Sequence, residues 1–298
     1  MAEVGVTEPN FAKTPLFQAT HSARYGRQDL IKRIQKATGR RLVCYVSGDG
    51  CRIDRDDTVG FVDILHHVPN NENLDLLLHT SGGDVDVAEK LISIVRRRVG
   101  TAELQIVVPD YAKSAGTLMV LGADRVLMSD TSELGPIDPQ ILFPDSTGHY
   151  VWRSVQNYLD AYDEHSAILK GDPANAVSRV MLGKLDPTTV KWCQAVKDRA
   201  RHAAENLLKR GMFRNGGPWT MTPIELLDTS RWQSHSQMIS WEDAQDPRIG
   251  LRVEYLDPRS ANWQLFWRLY CLQRLAIKDG QKLYESEHAS LPIDGRRS

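Results

Sequence analysis

No apolar run in this sequence approaches the roughly 18 residues that a membrane-spanning helix requires, so the chain is not expected to cross a bilayer. An excess of one charge is also lacking. Lysine and arginine number 37 against 38 aspartates and glutamates, a formal net charge of −1, which provides no global field for nucleic acid or an anionic membrane. Cysteine is scarce. Cys44, Cys51, Cys193 and Cys271 show no metal-type spacing, and a disulfide framework is not expected in so long a chain. Cys44 lies in an apolar run and reads as a core thiol. The patterns GxxxxGK[ST], GxGxxG and HExxH are absent, so no metal, nucleotide or other cofactor is expected. The opening MAEVGVTEPNFAKTPL has no basic-then-apolar order, which points away from a secretory signal and toward a cytoplasmic protein.

What is present is concentrated between Leu74 and Ile141. An apolar run, Leu74 to Leu78, ends in Thr80-Ser81-Gly82-Gly83, and a segment of helical period follows to Arg98. A second run, Leu104 to Val108, ends in Pro109-Asp110-Tyr111-Ala112-Lys113-Ser114-Ala115-Gly116, and an apolar helix follows. Strands alternating with helices at this spacing predict an α/β fold with a mostly parallel sheet and crossover helices. Ligands of such sheets bind beyond the carboxyl ends of the strands, where both turns fall.

Each turn carries chemistry. Gly82-Gly83 reaches backbone angles closed to other residues and leaves its N–H groups unshielded. Ser114 falls where strand gives way to helix, with the Ala115 N–H beside it. A hydroxyl between such donors is the minimum for acyl transfer through a stabilised oxyanion. The plainer alternative is that Gly-Gly opens one helix and Ser114 caps the next, since both are ordinary cap residues.

Elsewhere the pattern predicts a polar N-terminal arm over 1–28, one main unit over 29–256 and a C-terminal helical extension over 257–298. In the main unit, a helix from Gln28 to Ala37 precedes a strand from Arg41 to Ser47. A helix covers Asp56 to His67, and Arg125 to Met128 is a further strand. Val151 to Leu169 reads as helical, and Asp186-Pro187 opens a helix to Arg210. Thr222-Pro223-Ile224-Glu225 has the form of a capping box. Asn262 to Tyr284 carries Trp263, Phe266, Trp267 and Tyr270, a stripe suited either to an oligomer contact or to packing on its own domain.

HTSGGDVDVAEKL, AKSAGTLMVLGAD and SELGPIDPQI, in that order, resemble the serine dehydrogenase proteinase family. This is a branch of the Clp protease/crotonase-like superfamily related to signal peptide peptidase A. The resemblance covers about residues 40–255. It implies a serine peptidase acting on peptide or protein substrates, with Ser114 as nucleophile and the backbone of Gly82, Gly83 and Ala115 as oxyanion hole. It also implies a homo-oligomer around a sheltered site, with any unfolding ATPase a separate partner.

The resemblance leaves the general base open. Asp138 occupies the place where the Clp subunit has its histidine, while His235 precedes a Ser240-Trp241-Glu242-Asp243-Ala244 helix in the turn that supplies the Clp aspartate. One candidate is therefore His235 oriented by Asp138, a triad with its partners exchanged. A second is a lysine: Lys170, Lys184 or the adjacent Lys113. The third possibility is an impaired or inducible site. Asp138 also suits a plain turn role, and His79 is expected to border the substrate groove. The rival functions are a crotonase-type acyl-coenzyme A enzyme, which needs no serine at 114, and a non-catalytic scaffold binding a partner through its C-terminal aromatic helix.

Overall fold

The computed structural model describes residues 14–144 and 147–295. Two helices lead in, α1 (Pro15–Thr20) and α2 (Ser22–Thr38), followed by β1 (Arg41–Ser47), α3 (Asp57–Ile64), β2 (Leu74–His79), α4 (Val85–Val99) and β3 (Leu104–Val107). Next come β4 (Tyr111–Ala112), α5 (Ala115–Leu121), β5 (Arg125–Met128), β6 (Glu133–Leu134), and a hairpin of β7 (Gln140–Pro144) and β8 (Tyr150–Ser154). Helices α6 (Val155–Gly171), α7 (Ala176–Gly183), α8 (Pro187–Arg210), α9 (Met221–Leu227) and α10 (Trp241–Gln245) lead to β9 (Val253–Tyr255). The chain closes with α11 (Ala261–Arg274), β10 (Gln281–Ser286) and β11 (Ser290–Asp294).

Seven strands form the main sheet in the order β11-β10-β1-β2-β3-β5-β9. From β1 to β9 every pairing is parallel, and β10 and β11 add an antiparallel edge. The expected α/β fold with a mostly parallel sheet is therefore the observed one. Helices cover both faces, which explains why β1, β2 and β3 read as continuous apolar runs. Leu42, Cys44, Val46, Leu77 and Val107 meet α2 and α11 on one side. Val43, Tyr45, Leu76, Leu78 and Ile106 meet α3, α4 and α5 on the other. Cys44 is fully buried, its thiol pushed well up by desolvation.

Several expectations give way to tertiary context. The N-terminal arm is helical over its described part, since α1 and α2 occupy residues 15–38, and residues 1–13 lie outside the described residues. The helix expected from Val151 begins only at Val155: Tyr150–Ser154 pairs with β7 instead, and the Ser154 hydroxyl caps α6 by accepting from Gln156 N at 3.2 Å. Thr222 makes no capping box, because α9 starts one residue before it, with Thr220 at the N-cap; the Thr222 hydroxyl, inside the helix, donates to Ile249 O at 2.6 Å. The stretch 257–298 is not simply a helical extension, since β10 lies beside β1 in the main sheet. Helix α11 turns its aromatic stripe inward: Trp263, Phe266 and Tyr270 are buried against that sheet and α2. Packing on its own domain, rather than an oligomer contact, accounts for those rings.

Candidate active site

The two small-residue turns are bonded to each other. Thr80 N donates to Tyr111 O and Lys113 N donates to Thr80 O, both at 3.0 Å, a parallel bridge between Thr80 and Ala112. Ser114 follows directly. Its φ of 53° and ψ of −115° lie in a region costly to a side-chain-bearing residue, about 1–3 kcal/mol of strain. The hydroxyl caps nothing and has no hydrogen-bond partner among the described residues. The helix after Gly82-Gly83 is capped by Asp84, whose carboxylate accepts from Asp86 N and Val87 N. Ser114 thus holds the N-cap position of α5 without capping it from its side chain, and the paired glycines leave the capping of α4 to Asp84.

Gly82 has φ of 100°, and a Cβ there would stand 2.8 Å from Ser114 Cβ and 2.7 Å from Lys113 O. Only a residue without a side chain lets the turns approach this closely. The three expected backbone donors separate. Gly82 gives its N–H to Thr80 Oγ1 at 3.1 Å, so it is not available as a donor. The N–H groups of Gly83 and Ala115 have no partner among the described residues. The sequence places Thr80 in this turn but assigns it no role. Its side chain decides which amide stays open, and nothing in the local pattern signals that.

His235 and Asp138 come together: Nδ1 of the imidazole lies 2.6 Å from Asp138 Oδ1. The carboxylate is almost buried, and its second oxygen accepts from Gln140 Nε2 at 2.8 Å. Gln140, to which the local pattern gives no role, opens β7 two positions after Asp138 and reaches back to it with its side-chain amide. With Asp138 as carboxylate, Nδ1 donates and Nε2 is left as an acceptor. The pair borders a cleft of about 850 Å³, whose walls include Phe143, Trp152, Tyr158 and Trp232. Ser114 is not part of that lining, and no hydrogen bond joins it to His235.

The lysines fall in three settings. Lys170 is exposed in the last turn of α6. Lys184 is exposed at the end of α7 and reaches the cleft wall. Lys113 points its ammonium away along the turn, to Glu133 Oε2 at 2.8 Å and Leu134 O at 3.0 Å. His79 does not border a groove. It is fully buried between Tyr111 and Tyr270, with ring centroids 4.0 and 5.0 Å away, and its Nδ1 is 3.1 Å from Ser47 O. Its Nε2 faces Asp110 at 3.5 Å. Burial pushes the Asp110 carboxyl up, but His79 and Tyr270 outweigh it and hold that group below the usual range. Among the described residues, no group of three or more acidic, histidine or cysteine side chains could hold a metal, and no helix is long and apolar enough to cross a membrane.

The mostly parallel α/β sheet thus brings a strained serine between two joined turns. The model of the ClpP-like SDH-type serine proteinases matches residues 51–214. The chain belongs to that family. Two uncharacterized proteins of Methanocaldococcus jannaschii are similar to it. One is 31% identical over 130 residues, 42% of this chain and 43% of the relative. The other is 30% identical over 107 residues, 36% and 33% respectively. The matched region thus spans less than half the length of either relative. Among solved structures, the 1510-N membrane-bound stomatin-specific protease is similar at 12% identity and TM-score 0.41, over 71% of this chain and 77% of that one. ClpP1 from Listeria monocytogenes is similar at 11% identity and TM-score 0.40, over 76% and 96%.

Proposed function

We propose that this chain is a serine peptidase that cleaves peptide bonds through an acyl-enzyme on Ser114. The observation that carries the reading is the Ser114 hydroxyl, held without a partner at a strained φ, with the unpartnered N–H of Ala115 next to it in the chain and that of Gly83 in the adjoining turn. Membership of a serine proteinase family supports the same chemistry. The hydroxyl oxygen attacks the scissile carbonyl, and its proton passes to Nε2 of His235, which Asp138 orients through Nδ1. The two open amides receive the oxyanion, and the imidazolium returns the proton to the leaving amine. Water then repeats the sequence in reverse on the ester. Substrate main chain lies as an added strand along the Gly82-Gly83 turn, a mode tolerant of sequence. Val177, Val180, Met181 and Trp192, apolar residues exposed on α7 and α8, support self-association.

A fluorophosphonate probe tests the reading. Capture at Ser114, mapped by mass spectrometry and abolished in Ser114→Ala, is the expected result. Folded wild-type protein that is never captured would overturn it. One observation favours a second reading, a site completed only when substrate or a second copy arrives: Ser114 and His235 are not hydrogen-bonded here. In that case capture appears only after assembly or peptide addition.

A further inference from the structure

Lys113 is next to the nucleophile in sequence yet turns away from it. Its aliphatic stem runs over Gly135, where a Cβ would come within 2.7 Å of Lys113 Cδ. The ammonium then meets four acceptors: Glu133 Oε2 at 2.8 Å, Leu134 O at 3.0 Å, Gln237 O at 3.3 Å and Ser236 O at 3.4 Å. The last two carbonyls belong to the residues immediately after His235. The side chain is largely buried, so its charge is satisfied by protein oxygens rather than by water. Leu134 is also bonded in both directions to Ile239, at 3.0 Å each way. One cation thus ties together the turn that bears Ser114, the strand leading to Asp138 and the turn that bears His235.

We propose that Lys113 is the positioning residue of this site: its ammonium sets where the His235 turn stands relative to Ser114, and it takes no proton in the reaction. A general base needs a free lone pair near the hydroxyl, whereas Lys113 directs its donors at acceptors on the other two segments. Its bonds to Ser236 O and Gln237 O, at 3.4 and 3.3 Å, are the contacts through which it holds the His235 turn, and loss of the ammonium removes both. This inference rests on the serine-peptidase reading for its kinetic consequence, though not for its structural one.

The test compares Lys113→Met, which keeps the stem and removes the charge, with Lys113→Arg, which keeps the charge. Two quantities are read: the rate of fluorophosphonate capture, and the downfield imidazole proton of the His235–Asp138 hydrogen bond, assigned by its loss in His235→Gln. Misplacement of a reacting group by about 1 Å costs on the order of 10²-fold in rate. Lys113→Met is expected to lose about that much capture and the downfield resonance together, while its far-UV circular dichroism stays native. Lys113→Arg is expected to retain the resonance and most of the rate. A Lys113→Met protein that keeps the resonance overturns the proposal whatever its rate, because the histidine turn has then not moved. Wild-type protein that shows the resonance but is never captured would instead overturn the peptidase reading, and Lys113→Met would still decide the positioning role by resonance alone.

Discussion

His235 and Asp138 stand 97 positions apart in the chain and share a hydrogen bond of 2.6 Å. The bond predicts the effect of an isosteric change. Gln140 Nε2 requires an acceptor at the outer carboxyl oxygen, so Asp138→Asn would turn its carbonyl to Gln140 and its amide to Nδ1. The imidazole proton would then move to Nε2, where it blocks transfer from Ser114. Capture by a fluorophosphonate should fall on the order of 10³- to 10⁴-fold with little change in thermal midpoint.

Gly82→Ala should damage stability and activity together. The added methyl meets Ser114 Cβ and Lys113 O inside 3 Å, at a φ that side chains rarely adopt. Urea denaturation should show a loss of about 1–3 kcal/mol, and capture should fall further than in Gly83→Ala, whose Cβ meets the backbone of Ile53 rather than the serine.

Trp263→Ala should cost about 3–5 kcal/mol, read by urea denaturation, because its side chain is buried between the sheet and α2. The sedimentation coefficient of the folded fraction should not change. A shift to smaller species at unchanged stability would return the aromatic stripe to an oligomer contact.

The buried Asp75 on β2 gives a pH signature. Burial raises its carboxyl to about 6, with Arg40 opposing. A folded value above the unfolded one means that the folded state holds the proton more tightly. The resulting stabilisation is fully present below the unfolded value, about 3.9, and is lost as pH rises through about 6. Wild-type stability measured against Asp75→Asn should therefore decline between about pH 4 and 6. A flat difference across that window would refute the assignment.

The sequence by itself determined the parallel sheet. The apolar runs at Arg41–Ser47, Leu74–His79 and Leu104–Val107, with helical segments between them, leave one economical arrangement in which both faces are covered. It also determined Ser114 and the paired glycines as the chemically unusual turns, since small residues at strand ends expose backbone and hydroxyl at once. Local pattern failed where a distant partner outbid a neighbour. Ser154 ends a hairpin because β7 is there to pair with it, and residues 281–286 become a strand because β1 offers an open edge. Only the tertiary structure decided that Gly82 spends its amide on Thr80, that His79 is sealed between two tyrosines, and that Lys113 grips the turn of His235. The reason is physical: strand and helix periods are written in neighbouring residues, whereas a buried donor takes whichever acceptor the fold brings within reach.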